Sequence, residues 1–142
     1  MKKKEIITDI ITHLLVVLFI YAAVIKVLEF SKFTVQVSQS PILRPVAQIV
    51  PFLVPASEVV ISIMLITTRW KLIGLYAAYA LMLAFTLYII AVLNFSEYVP
   101  CSCGGVLENM TWTQHLIFNS GFVLLAGLGI FLYEDALTSE II

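Results

Sequence analysis

Residues 1–24 read MKKKEIITDIITHLLVVLFIYAAV, three lysines ahead of a long apolar run, and the reading of that run decides what kind of protein this is. A basic start followed by apolar residues is also how a secretory signal begins. Here the apolar run is about 19 residues long, enough to cross a bilayer. It carries Asp9 and His13 at its start, and no small-x-small cleavage site leads into a polar mature domain. The expectation is an uncleaved first membrane helix.

The rest of the chain agrees with a bilayer setting. Of 142 residues, 61% are hydrophobic and only 12% charged, and the mean hydropathy of +1.05 lies far outside soluble usage. A formal net charge of -1 gives no global bias toward nucleic acid or acidic substrates. Apolar stretches near residues 8–28, 47–68, 72–93 and 113–133 are each long enough to span the hydrocarbon. The predicted architecture is therefore an all-α, single-domain bundle of four transmembrane helices over residues 1–142, with outer loops at 29–46 and 94–112. The first of these loops, with Pro41 and Pro45, reads as a surface connection with room for a short interfacial helix.

Basic residues near span ends tend to stay cytoplasmic. Lys2, Lys3 and Lys4 flank the first span, and Arg69 and Lys71 lie between the second and third. The other face has Lys32 and Arg44, with Lys26 near the mouth of the first helix, while NFSEYVPCSCGGVLENMT, residues 94–111, has no basic residue. Both termini are thus expected in the cytoplasm and loops 29–46 and 94–112 in the periplasm of a bacterial inner membrane, a multi-pass arrangement. Tyr98, Trp112, Tyr133 and Trp70 fit aromatic anchoring at the interfaces. Small residues in the third helix (Ala77, Ala78, Ala80, Ala84) and the fourth (Gly121, Gly127, Gly129) permit close helix approach.

The chain's two cysteines both fall in PCSCGG, residues 100–105. On the outer face of an inner membrane, disulfides form and persist, and one pair allows one intramolecular connectivity. Closing a bridge between residues i and i+2 requires a turn, and strained or exposed disulfides are the labile, exchanging ones. Pro100 stiffens the approach to Cys101 and Cys103, and Gly104 and Gly105 loosen the exit. A structural staple is the plainer alternative, although so short a ring removes little entropy from the unfolded chain. Cu(I) is a third reading, since Cys101, Cys103, Met110 and His115 fall within fifteen residues. A closed zinc site is not supported, because His13 lies at the other membrane face and four ligands are not available together. His115 is a candidate base or proton donor tuning a nearby thiolate, against the plainer role of a wet or hydrogen-bonded residue at the outer end of its helix.

Ionisable residues inside spans are costly and usually functional. Glu58 follows PFLVPAS, so Pro55 could start or kink a helix and Ser57 could satisfy freed backbone donors; in an unbroken helix Glu58 instead sits near the bilayer middle. Lys26 is its natural counter-charge. The two either fix helix packing as a buried ion pair or line a polar cavity that moves a proton or holds a quinone-like head group. Tyr21, Tyr76, Tyr79, Tyr88 and Asn119 add polar tips to the same spans.

YAAVIK in the first helix, PASE in the second, and PCSCGG ahead of a Trp-led fourth helix make the chain resemble the MauE/DoxX-like redox-associated membrane proteins over nearly its whole length. That resemblance implies disulfide chemistry outside the inner membrane, with thioredoxin-like partners and maturation of a disulfide-rich dehydrogenase subunit. The residues it carries over are Lys26, Glu58, Cys101 and Cys103. The architecture is also similar to quinone-linked thiol oxidoreductases, which relay electrons between two cysteine pairs; this chain has one pair, so the other thiols must come from a partner.

The function expected is an inner-membrane thiol–disulfide redox protein, a candidate oxidoreductase, that exchanges Cys101/Cys103 with a periplasmic thioredoxin-like or client protein. Lys26, Glu58 and His115 handle charge or protons in that reading, and a quinone is the candidate cofactor. Two alternatives stand beside it: a non-catalytic assembly subunit of a larger membrane complex, and a Cu(I)-handling membrane protein.

Overall fold

The computed structural model describes residues 2–39, 43–95 and 112–141. Among these residues the chain is helical throughout: α1 is Lys2–Leu28, α2 Phe30–Gln39, α3 Val50–Ile66, α4 Lys71–Phe95 and α5 Trp112–Ile141. Two short 3-10 turns, Arg44–Val46 and Thr68–Trp70, precede α3 and α4. Three helices, α1, α4 and α5, are long and apolar enough to cross a membrane, and α3 is a shorter apolar helix.

Each long helix owes its place to a stripe of residues three and four apart. In α1 the buried stripe is Thr8, Ile11, Thr12, Leu15, Phe19, Ala23 and Lys26, and in α3 it is Pro51, Pro55, Glu58, Ile61, Ser62 and Leu65. In α4 it runs Leu75, Ala78, Met82, Thr86 and Ile89, and in α5 His115, Asn119, Ala126 and Gly129. These stripes meet at a core of Ile11, Leu15, Phe19, Ile61, Leu65, Leu75, Ala78, Met82 and Ala126. The packing closes a ring in which α1 touches α3 and α5, and α4 touches the same two.

Polar side chains within the helices turn their hydrogen bonds onto their own backbone, as an apolar surround requires. Thr8 Oγ1 donates to the Lys4 carbonyl, Thr12 Oγ1 to that of Thr8 and Thr86 Oγ1 to that of Met82, at 2.7, 2.7 and 2.8 Å. Outward, the surface is apolar: Val17, Leu124 and Phe131 are 67%, 75% and 67% exposed. In the most apolar windows of α1, α4 and α5, only 33%, 33% and 22% of residues are buried, so most of the hydrophobic content faces outward, as lipid contact requires. The chain is a multi-pass membrane protein.

The helices depart from the hydropathy windows in instructive ways. α1 and α5 run past the apolar limits at 8 and 133, because charged ends pair with one another: Lys4 with Asp135, Lys71 with Asp9, and the Tyr76 hydroxyl with Glu134. A hydropathy window detects lipid depth, whereas a hydrogen-bonded helix continues into its polar cap. α3 is shorter than 47–68. Pro51 lies in its first turn, where a missing N–H costs nothing, and Thr67 turns extended at φ -81, ψ 120. Within segment 29–46, the short helix that the sequence left room for is α2, Phe30–Gln39. Hydrogen bonds from Glu29 N to Ile25 O and from Phe33 N to Glu29 O, both 2.9 Å, carry α1 into α2, which buries Phe33 and Val37.

The small residues are unequal. A Cβ built on Gly129 would stand 3.1 Å from Ile11 Cγ2, and one on Gly127 3.5 Å from the Tyr79 ring, whereas nothing lies within 4 Å of one on Gly121. Gly121 is thus no point of close approach. The tightest backbone contact is at Gly74, where a Cβ would stand 3.1 Å from Leu65 N and 3.2 Å from the Met64 carbonyl carbon. Backbone cannot swing aside as a side-chain end can. Gly74→Ala is expected to cost about 1–3 kcal/mol, while Gly121→Ala should be neutral or gain up to about 1 kcal/mol of helix propensity. Thermal unfolding of the two variants in detergent checks the contrast.

Candidate functional site

At the end of the bundle away from the termini, all five helices contribute to one cavity of about 260 Å³. α2 packs against the start of α3, with the Phe30 and Phe52 rings 5.0 Å apart. Phe33 and Val37 of α2 form part of the wall. The remaining lining is apolar except for Lys26, Glu58, Tyr88, His115 and Asn119.

Lys26 turns inward from the last position of the α1 stripe. Its Nζ donates to Glu58 Oε1 at 2.8 Å and lies 5.9 Å from the ring centroids of both Phe33 and Phe85. The pair is deeply buried, Lys26 at 9% and Glu58 at 0% exposure. α3 runs unbroken through Pro55, so Glu58 is at mid-helix and not at a helix start. Ser57 Oγ donates to the Leu53 carbonyl at 2.7 Å, and therefore serves an acceptor, where the sequence had pointed to a freed donor.

The second carboxylate oxygen, Glu58 Oε2, is buried and has no hydrogen-bond partner among the described residues. A buried acceptor without a donor costs about 1–3 kcal/mol, and more when charged. The site therefore holds an acceptor able to take a proton or a donor from a bound molecule. Beside it stands an ammonium with three N–H groups, one of them committed to Oε1.

Three of the residues singled out from the sequence, Lys26, Glu58 and His115, line this one cavity. His115 lies in the first turn of α5 and is buried at 7% exposure. Asn119, one turn on, is buried at 3% and faces the same space; the α5 stripe is the signal that places it there. His13 is exposed at the opposite end, its Nδ1 donating to the Asp9 carbonyl at 2.6 Å. Cys101, Cys103, Met110 and Tyr98 lie outside the described residues, as does the side chain of Trp112. Among the described residues, no three His, Cys, Asp or Glu side chains are placed to hold a metal ion.

The family described as Methylamine utilisation protein MauE matches residues 4–132, which takes in α1 to α4 and most of α5. The chain belongs to the MauE family. The match covers Lys26, Glu58, the PCSCGG segment and His115, so every candidate residue of this MauE chain falls within the family's extent. Comparison with curated proteins and with solved structures gives no match.

Proposed function

We propose that this MauE-family protein is a four-span thiol–disulfide redox protein of a bacterial inner membrane, acting with a periplasmic thioredoxin-like or client protein in methylamine utilisation. In this reading α3 completes the spans: its 17 residues extend about 25 Å, a shortfall that local thinning or flanking residues accommodate. Lys2, Lys3, Lys4, Arg69 and Lys71 collect at the end where Lys4 meets Asp135 and Lys71 meets Asp9, which favours that end, with both termini, in the cytoplasm.

The observation that carries the reading is the buried Lys26–Glu58 pair, set in a cavity at the end of the bundle where α4 stops and α5 starts. In sequence, the cysteines belong to the segment that joins those two helix ends. His115, a few residues into α5, lines the same cavity as the two charges.

The exchange balances without another reagent. A partner thiolate attacks the Cys101–Cys103 disulfide, the S–S bond breaks, and a mixed disulfide and one cysteine thiolate form. The partner's second thiolate then displaces the remaining cysteine. Two electrons enter the chain's pair, the partner becomes a disulfide, and two protons follow to the released thiolates. The reverse sequence oxidises the chain. His115 and Glu58 hold or pass those protons.

The redox state of the two cysteines tests this. In sealed vesicles carrying the full chain, adding a reduced thioredoxin-like protein on the outer side should convert Cys101 and Cys103 together from unlabelled to doubly labelled by a thiol-alkylating mass tag. Cysteines that keep their labelling pattern under that treatment would mean a passive staple and end the exchange reading.

A further inference from the structure

We propose that the cavity around Lys26 and Glu58 is a binding site for the single-ring head group of a membrane-dissolved quinol, and that it favours the reduced, hydroxyl-bearing form over the quinone. The size fits first. A dry cavity of ~150 Å³ accommodates benzene, and this one, at about 260 Å³, has room for a substituted ring.

The walls choose the character of the ligand. Leu18, Phe19, Val54, Met82 and Phe118 give an apolar enclosure suited to a ring. The polar groups converge on one side. Lys26 and Glu58 together are neutral at 2.8 Å, and the ammonium already sits between the Phe33 and Phe85 rings. A cationic ligand would bring a charge that the neutral pair does not offset and would compete with Lys26 for Glu58, and an anionic one would compete with Glu58 for Lys26. A neutral ring with polar substituents meets neither penalty.

The partnerless Glu58 Oε2 then selects the redox form. A quinol O–H donates to that oxygen, and the same hydroxyl oxygen accepts an N–H of Lys26. A quinone oxygen accepts from Lys26 but leaves Oε2 without a donor. A site that leaves a buried polar group unpaired rejects such an analogue strongly. Ala84 on α4 lines the cavity and is exposed, and Val50 and Val54 are half-buried, so part of the lining is apolar and reachable from outside.

This site shares Glu58 and His115 with the proposed thiol exchange, and its test keeps the two readings separate. The full chain in lipid nanodiscs is titrated calorimetrically with trimethylhydroquinone under anaerobic conditions, with its dimethyl ether, and with trimethylquinone. The expected result is saturable binding of the hydroquinone, with the ether and the quinone weaker by roughly tenfold or more, the size of one lost buried hydrogen bond. The Cys101→Ser/Cys103→Ser chain should bind the hydroquinone equally well, whatever becomes of exchange. Ala22→Phe, which fills the cavity from α1 and keeps both charged residues, should abolish binding with helicity and elution volume unchanged. Equal affinity for hydroquinone and ether, or no saturable hydroquinone binding, would overturn the proposal. That comparison is made on the unaltered protein, so it decides even where Ala22→Phe does not fold; a folded Ala22→Phe chain that still binds would also overturn it.

Discussion

Replacing Lys26 with methionine is expected to destabilise the bundle by about 3–5 kcal/mol, and replacing Lys26 and Glu58 together by methionine is expected to restore most of that loss. The single change keeps the volume of the side chain but strands a carboxylate that is 0% exposed, and neither of its oxygens then has a donor among the described residues. An uncompensated charge in an apolar interior is far worse than no charge at all. With both groups gone, the α1 and α3 stripes become continuous apolar seams through Ala23 and Pro55, and packing alone holds them. Denaturant unfolding in detergent micelles gives the three free energies. A single substitution that costs less than about 1 kcal/mol, or a double variant as weak as the single, would contradict a tightly coupled buried pair. The same cycle separates two roles for the charges: a pair that serves only packing leaves hydroquinone binding intact in the stable double variant, whereas the ligand site requires its loss.

Much of this arrangement is legible in the sequence once the helical stripes are followed. Lys26 continues the series Ile11, Leu15, Phe19, Ala23, and Glu58 lies between Pro55 and Ile61 on one face, so each charge occupies an inward position of an otherwise apolar seam. His115 and Asn119 begin the α5 seam in the same way. Other features depend on tertiary context that no local pattern carries. The segment EFSKFTVQVS is polar in composition, yet α2 forms there and buries Phe33 and Val37, because a short α3 leaves space beneath it. Glycine content alone does not separate Gly121, which has open space, from Gly74, which meets backbone at 3.1 Å. The unpartnered oxygen of Glu58 is likewise a product of packing: sequence supplies the carboxylate, and only the geometry shows that Lys26 reaches one oxygen and not the other.

The second large effect concerns the thiols. A pair that works by exchange needs one cysteine to attack and the other to resolve, so either single substitution should stop turnover outright. The two variants should nevertheless differ. Cys103 is the nearer of the two in sequence to the start of α5, which makes Cys101 the proposed site of first attack. In Cys103→Ser the Cys101 thiolate can still attack a partner's disulfide, but the chain has no second thiolate to displace the partner, and release is left to the partner's own second thiolate. A covalent intermediate should accumulate. In Cys101→Ser it should be scarce.

That intermediate offers the most direct measurement of whether this protein exchanges disulfides. Membranes from cells producing Cys103→Ser are quenched with acid and alkylated, and the chain is resolved without reductant. The prediction is a higher-mass adduct that dithiothreitol releases, whose attached protein is thioredoxin-like or a disulfide-bearing client exposed to the periplasm. If neither single-cysteine variant yields a reductant-sensitive adduct, and the double-serine chain supports methylamine utilisation as well as the unaltered one, the cysteines do not carry the function and the exchange account is wrong.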